Sequence, residues 1–443
     1  MIDTVILHVP TFATYTVQDG ERFNIVGDVN DFGLEACARH IRVNDKGEKV
    51  FTDIYHAYES LPTSHAGIGH KFYHSTNKTL PYLELNCSVA KLMQGHNVYG
   101  LDDIVYGSIE MLGAIATAYP KLAQYLDFAN TKVVRFDVTY SAMCETRLQA
   151  ERVRDYLRNV DFGRLRNQSV KNTKDHYNTV YFGSPGSKIG GFKLYCKGVE
   201  IENERKELQA LANKNCLAST QKLQKIFTQQ LQDYADRLVR IEATFKTRHI
   251  KELGIPQNLW QLVQYQLDNP ELYKEIWQNK TQAMFKALEG KIMDYADDAK
   301  LMQTLKEKLV TYTYPKDLLQ ISVKTLCKPS FGDLSQHDFM FLGKPSYTRA
   351  KNAYNLFKRI QQDGFYEVKK HHNLRTFQRN IKYLADAGFA IGTLQNLKAK
   401  GESLPVLEIL SIDFANQFPE GYQVPTLTEQ FVEQFKPYLS KAA

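Results

Sequence analysis

The sequence predicts an α+β protein: an antiparallel or mixed sheet with helices packed on one side, followed by a mostly α-helical C-terminal region. Three observations predict it. Short runs of apolar and polar alternation recur between Val5 and Phe245, the period of two that marks half-buried strands. Amphipathic stretches with a period near 3.6 separate them. From about Gly254 onward the alternation stops and helical periodicity takes over.

Taken in order, the strands are Val5–Val9, Ile68–Tyr73, Tyr82–Asn86, Val133–Ser141, Thr179–Phe182, Gly191–Cys196 and Leu238–Phe245, each rich in β-branched or aromatic residues. Between them fall helices at Ile104–Tyr119, Leu148–Asn159 and Glu202–Arg237, the last interrupted near Asn213–Ser219. The order strand, helix, strand, helix, strands, helix, strand is that of a sheet with helices layered on it. Further helices follow at Leu259–Leu267, Glu271–Ala287, Asp298–Lys308, Tyr347–Asp363, Leu374–Ala387 and Leu427–Leu439. Asn178–Ser187 reads as a strand with a Gly/Ser/Pro turn, forming a hairpin with the strand that ends at Cys196.

A chain of 443 residues is too long for one ordinary core, and the change in periodicity divides it into a region 1–253 and a region 254–443. Pro315 and Pro329 suggest a sub-boundary near 315–345. With 43% hydrophobic and 24% charged residues, extended disorder is not expected. A formal charge of +7 leans towards a polyanionic partner. The six cysteines form no Cys-x-x-Cys pair, so they read as thiols rather than a zinc site. The early Asp3 and the lack of a long apolar run argue against a signal peptide and a membrane span.

One pattern returns almost verbatim. Val134-Arg135-Phe136-Asp137-Val138-Thr139 is echoed by Val239-Arg240-Ile241-Glu242-Ala243-Thr244. On a strand, each copy turns Arg, carboxylate and Thr to one face. Cleaving a phosphodiester takes an in-line nucleophile and positive charge on the non-bridging oxygens. Mg²⁺ or Mn²⁺ takes carboxylate ligands while keeping water positions open. Asp137 and Glu242 fit as such ligands, and Glu84, in the alternating Tyr82–Asn86 run, is a third. The same pattern describes cross-strand ion pairs on a half-solvated sheet equally well.

Tyr195 lies between the two copies, with Lys197 two residues on and expected on the same face. A phenol titrates near about 10, so attack at neutral pH needs a metal or a lysine to favour the phenolate. Among 26 tyrosines, one in a strand is also an ordinary packing residue. Gln94-Gly95-His96-Asn97 reads as a loop presenting His96 and Asn97 to DNA or to a metal site, or else as a structural turn. In the C-terminal region, a helix carrying Arg375, Arg379 and Lys382 is placed either to enter a DNA groove or to form a solvated basic face. No Walker-type phosphate loop is present, so strand unwinding would fall to a partner helicase.

Glu59–Tyr73, Leu92–Gly100, Val133–Ala142, Leu194–Glu200 and Leu238–Ile250 together resemble the gene II replication proteins of filamentous bacteriophages. The likeness continues into Phe285–Ala299 and Pro405–Pro419 and so spans most of the chain. It implies a rolling-circle initiator that nicks the plus strand of double-stranded replicative-form DNA at its origin. The 5′ phosphate would be held on a tyrosine, matched by Tyr195 of the Tyr-x-Lys motif, and the displaced single strand later rejoined. A wider likeness to plasmid replication-initiation factors implies a duplicated RRM-like, HUH-like sheet. The usual His-hydrophobic-His pair is missing, so carboxylates would replace those ligands. The resemblance further implies action in the host bacterial cytoplasm with host helicase and polymerase, self-association at the origin, and a shorter product from an internal start at Met293.

Overall fold

In the computed structural model, residues 1–12, 16–18, 24–26, 32–43, 45–47, 49–74, 81–161, 178–183, 186–214, 216–289, 298–313, 344–397 and 410–441 are described. Met293, Ser184, Pro185 and almost all of the 315–345 stretch lie outside them. The strands are β1 (Ile2–Pro10), β2 (Thr16–Gln18), β3 (Asn24–Val26), β4 (Ala36–Val43), β5 (Lys49–His56), β6 (Glu59–Pro62) and β7 (Gly67–Tyr73). They continue with β8 (Tyr82–Ser88), β9 (Lys132–Met143), β10 (Thr179–Phe182), β11 (Phe192–Cys196) and β12 (Leu238–Lys246). A β13 (Thr311–Thr313) and β14 (Lys344–Ser346) ribbon follows.

Eight strands form the main sheet in the order β10-β11-β12-β9-β1-β8-β7-β6. Every neighbouring pair is antiparallel, so the expected α+β class holds and the sheet is not mixed. Each expected strand is present within a few residues. Not expected from the sequence are β6, whose Glu59-Ser60-Leu61-Pro62 is short and ends in proline, and the separate ribbons β2-β3, β4-β5 and β13-β14.

Period-two alternation gives the sheet two unlike faces. Val5, Leu7, Leu83, Leu85, Phe136, Val138, Ile241, Ala243 and Phe245 are buried on one of them. Helix Leu272–Leu288 lies on it: Tyr273 packs edge-on against Phe136, Trp277 against Tyr140, and the Trp277 indole donates to the Ile241 carbonyl at 3.1 Å. Helix Ile104–Ala118 adds Ile109, Met111, Leu112 and Ile115 to the core. The other face carries the Arg-x-carboxylate strands and is the polar one.

The chain forms two compact units, and their boundary differs from the expected division at 253/254. One unit comprises Met1–Arg154, Arg164–Gln282 and Ile409–Ala443; the other comprises Asp155–Gly163 and Ala283–Glu408. Residues beyond 254 join the sheet because their apolar side chains fit it. Phe414 packs edge-on against Tyr140 at 4.9 Å, and Gln417 exchanges hydrogen bonds with both backbone groups of Ser141. Phe435 meets Phe128 and Trp260. The second unit is helical, with Thr348–Asp363, Phe365–Lys370, Leu374–Asp386 and Ile391–Asn396 closing on Leu356, Phe357, Ile360, Phe377 and Leu384. No helix among the described residues is long and apolar enough to cross a membrane.

At the sheet margin, His56 and His74 are buried with their Nε2 atoms 3.1 Å apart. Burial lowers both pKa values, His74 to about 4 with His56 as a further cause. The unfolded chain binds protons on these groups below about 6.5, whereas the folded chain resists. Their contribution to stability is therefore full above that pH and is lost as the pH falls towards 4. Urea midpoints are expected to drop between pH 7 and pH 4.5, and His74→Gln to flatten that slope.

Candidate functional site

β9 and β12 run antiparallel, with Asp137 opposite Thr244 and Glu242 opposite Thr139. The two repeated carboxylates are therefore diagonal neighbours on one face, with Cα atoms about 7–8 Å apart. Tyr195 on β11 lies opposite Arg240, and Lys193 opposite Glu242. The Tyr195 hydroxyl donates to Glu242 Oε2 at 3.2 Å, while Lys193 Nζ sits 2.9 Å from Glu242 Oε1 and 5.4 Å from the centre of the Tyr195 ring.

Lys197 is not on the Tyr195 strand. β11 ends at Cys196, and Lys197 opens the helix Lys197–Ala212, so strand alternation no longer sets its direction. It is fully buried, with Nζ donating to Asn97 Oδ1 at 2.7 Å, pairing with Glu200 at 2.9 Å and lying 5.8 Å from the Tyr195 ring centre. The lysine that shares the Tyr195 strand face is Lys193.

The loop after helix Val89–Gln94 closes over this group. Gly95 ends the helix at φ +86°, a left-handed conformation that glycine adopts without a Cβ penalty. His96 and Asn97, expected to face DNA, are instead turned inward and buried. Arg240 explains why. Its guanidinium donates to the Asn97 and Val98 carbonyls and to Ser141 Oγ, which pulls the loop onto β12. Arg240 is itself 2% exposed, so its charge is spent on the loop rather than shown to solvent. Arg135 holds Asp137 in a bidentate pair, Nε at 3.0 Å and Nη2 at 2.5 Å, and keeps about a third of its side chain accessible.

Asp3 joins this cluster unanticipated. Its Oδ1 accepts from Ser88 Oγ at 2.9 Å and from Asn97 Nδ2 at 3.0 Å. Glu84 is on the same sheet face but apart from it, paired with His8 at 3.0 Å, four residues along β8 from Ser88. Arg375, Arg379 and Lys382 lie on helix Leu374–Asp386 in the second unit, all exposed, with Lys382 paired to Asp386.

Burial sets the protonation of the group. It raises Glu242, and with Asp3 and Asp137 nearby this outweighs Lys193 and brings the pKa to about 8. Burial, then Glu200 and Glu242, pushes the Tyr195 phenol well above its ordinary value. Burial also lowers Lys197 to about 8, against the pull of Glu200. Asp3 would be raised by burial, but Lys197 and the Asn97 hydrogen bond hold it below its ordinary value. For His96, burial, Lys197 and Arg240 bring the pKa to about 4.

Among the described residues no three His, Cys, Asp or Glu side chains are grouped to hold a metal ion. Asp137 and Glu242 are each met by a basic partner instead. Two carboxyl groups at diagonal positions on one sheet face are the donor type that a hard divalent cation takes.

A tyrosine hydrogen-bonded to a carboxyl among lysines and an arginine, on one face of an antiparallel sheet, is a site suited to an anionic substrate. The family model that describes the N-terminal part of the phage replication-associated protein matches residues 1–267, more than half of the chain. The chain belongs to this family of replication-associated proteins of filamentous phages. It is 29% identical to the replication-associated protein of Salmonella phage IKe, over 96% of both chains. To the replication-associated protein of Enterobacteria phage M13 it is 28% identical, over 89% of this chain and 90% of that one. No solved structure matches.

Arg240→Leu would leave the Asn97 and Val98 carbonyls without their donor. The expected cost is about 3 kcal/mol in urea unfolding, with faster proteolysis in residues 94–100, because a buried acceptor left unpaired costs roughly 1–3 kcal/mol.

Proposed function

We propose that this chain is a rolling-circle replication initiator. It nicks the plus strand of double-stranded replicative-form phage DNA at the origin through a 5′-phosphotyrosine on Tyr195, then rejoins the displaced strand into a circle. The observation that carries this reading is the Tyr195–Glu242 hydrogen bond.

A phenol held well above its ordinary pKa is a poor nucleophile until its proton leaves, and Glu242 is the acceptor within reach. Burial raises Glu242 above the ordinary carboxylate range, so its carboxylate is a stronger base than usual and can take that proton and return it. The Tyr195 oxygen attacks phosphorus, the bond from phosphorus to the 3′ oxygen breaks, and the 3′ oxygen leaves as a hydroxyl after taking a proton from solvent. In rejoining, a 3′ hydroxyl attacks the phosphotyrosine and gives its proton to solvent, the bond from phosphorus to the Tyr195 oxygen breaks, and that oxygen regains its proton from Glu242. Each step trades one phosphoester bond for another, so no ATP is consumed. Lys193, Lys197 and Arg135 offset phosphate charge, while Arg240 holds the loop that shapes the site. Asp137 and Glu242 would hold Mg²⁺ or Mn²⁺, which when bound supplies positive charge to the non-bridging oxygens.

The same proposal assigns origin DNA to the exposed Arg375, Arg379 and Lys382 helix, and unwinding and synthesis to host helicase and polymerase in the bacterial cytoplasm, with self-association at the origin. A duplicated origin of the sheet, the part of the RRM-like reading that topology bears on, is supported by its two flanks. β1-β8-β7-β6 and β9-β12-β11-β10 each run first, fourth, third, second.

The second reading is a non-catalytic origin-binding protein, favoured by the 5% exposure of Tyr195. Supercoiled DNA carrying the phage's own origin, incubated with Mg²⁺, separates the two. Wild type is expected to yield nicked circles with covalently attached protein, and Tyr195→Phe to yield neither; nicking by Tyr195→Phe would end the assignment. Glu242→Gln is expected to slow single-turnover nicking by roughly 10²–10⁴-fold.

A further inference from the structure

The polar face does not end at Asp137. It continues through β1 and β8 to β7 and β6, where several of its positions are aromatic. His8, Tyr82 and Tyr73 come from three adjacent strands and form one column: His8 and Tyr82 stack at 4.1 Å and 22°, Tyr82 and Tyr73 at 4.9 Å and 17°. Lys71, two residues before Tyr73 in β7, holds its Nζ 5.0 Å from the centre of the Tyr73 ring. At the outer margin Tyr58 is 52% exposed. It lies against Gly69, where a Cβ would stand 2.5 Å from its hydroxyl and 2.8 Å from its ring edge. The missing side chain is what allows an exposed ring to rest on the sheet backbone.

A column of half-buried rings beside an exposed tyrosine laid on the sheet is an unusual use of a polar sheet face, since large apolar surface is ordinarily withdrawn from water. The half-buried cations along the face are Lys71, Arg135, Lys193 and Lys246; Arg135 and Lys193 are paired with the buried Asp137 and Glu242, and Glu84 is paired with His8. Cationic side chains and aromatic rings on a sheet are the equipment with which proteins hold unpaired nucleic acid, because every base offers a face for stacking whatever its identity. Duplex DNA keeps its bases stacked on each other and has no use for such rings.

We propose that the β1-β8-β7-β6 flank is a track for single-stranded DNA, on which bases stack as the strand runs to or from Tyr195. The proposal rests on the nicking reading for its direction. β8 lies four strand spacings from β11, roughly 19 Å, so the track holds nucleotides several positions from the scissile phosphate. An enzyme that must keep a displaced strand near its site until rejoining has a use for such a holding surface.

The test uses full-length Tyr195→Phe protein, which holds DNA without cutting it, and a fluorescein-labelled twelve-nucleotide oligothymidine read by anisotropy. Tyr58→Ala and Tyr73→Ala are each expected to weaken binding about tenfold, Tyr58→Trp to retain it within about twofold, and duplex binding to stay unchanged in all three. A bromodeoxyuridine oligomer should photocrosslink to peptides containing Tyr58 or Tyr73. Parental affinity in both alanine variants, each shown by melting to be folded, overturns the track, as do crosslinks confined to other strands. The outcome is separable from the nicking reading. Nicking by wild type with unaltered oligothymidine binding in the alanine variants removes only the track, whereas nicking by Tyr195→Phe removes only the assignment of the nucleophile.

Discussion

The Arg240 guanidinium, buried in β12 and donating to the carbonyls of Asn97 and Val98, decides how the rest of the polar face is arranged. A buried cation is tolerable only where its donors are met, and here backbone carbonyls of an irregular loop meet them. The loop is thereby fixed over the sheet, which lets the Asn97 side chain bridge two strands. Its amide donates to Asp3 on β1, and its carbonyl oxygen accepts from Lys197 beyond β11. Remove Arg240 and the connection between the first strand and the tyrosine strand goes with it.

Around this anchor, each acidic group has a distinct companion. Asp137 has Arg135, Glu242 has Lys193 and Tyr195, and Asp3 has Ser88 and Asn97. The two halves of the repeated motif are thus unequal. The Arg of the β9 copy stays with its own carboxylate near the surface, whereas that of the β12 copy turns to the loop. Glu242 is the carboxyl that meets the tyrosine and the one that burial raises, so the proposed proton transfer would rest on one of the two copies.

Much of the fold was legible because period-two alternation survives wherever one sheet face is buried, and β9 and β12 were read to within two residues. Short strands such as β6 carry too few alternations to register. The site was less legible, for local reasons. Asp3 shares its parity with Val5 and Leu7, so alternation alone assigns it to the core; a register shift between Ile2 and Val5 lies in between. Lys197 was counted as a strand residue although the strand stops one residue earlier, and the lysine on the tyrosine's face, Lys193, precedes rather than follows it. His96 and Asn97 looked solvent-facing because nothing in a sequence announces that a distant arginine will bind their loop.

The return of residues 410–441 to the sheet unit has a consequence for how the protein is made. Phe414, Gln417 and Phe435 complete the surroundings of Tyr140, Ser141 and Trp260, yet Ala283–Glu408 must be synthesised between helix Leu272–Leu288 and the segment that covers them. At ribosomal speed this interval is on the order of ten seconds. During that time the emerging sheet waits with an uncovered aromatic patch and a bare length of β9 edge. The helical unit can meanwhile close its own core, so the two parts mature in the reverse of the order in which their first residues appear. Residues 410–441, once made, then seal the strand that carries Asp137.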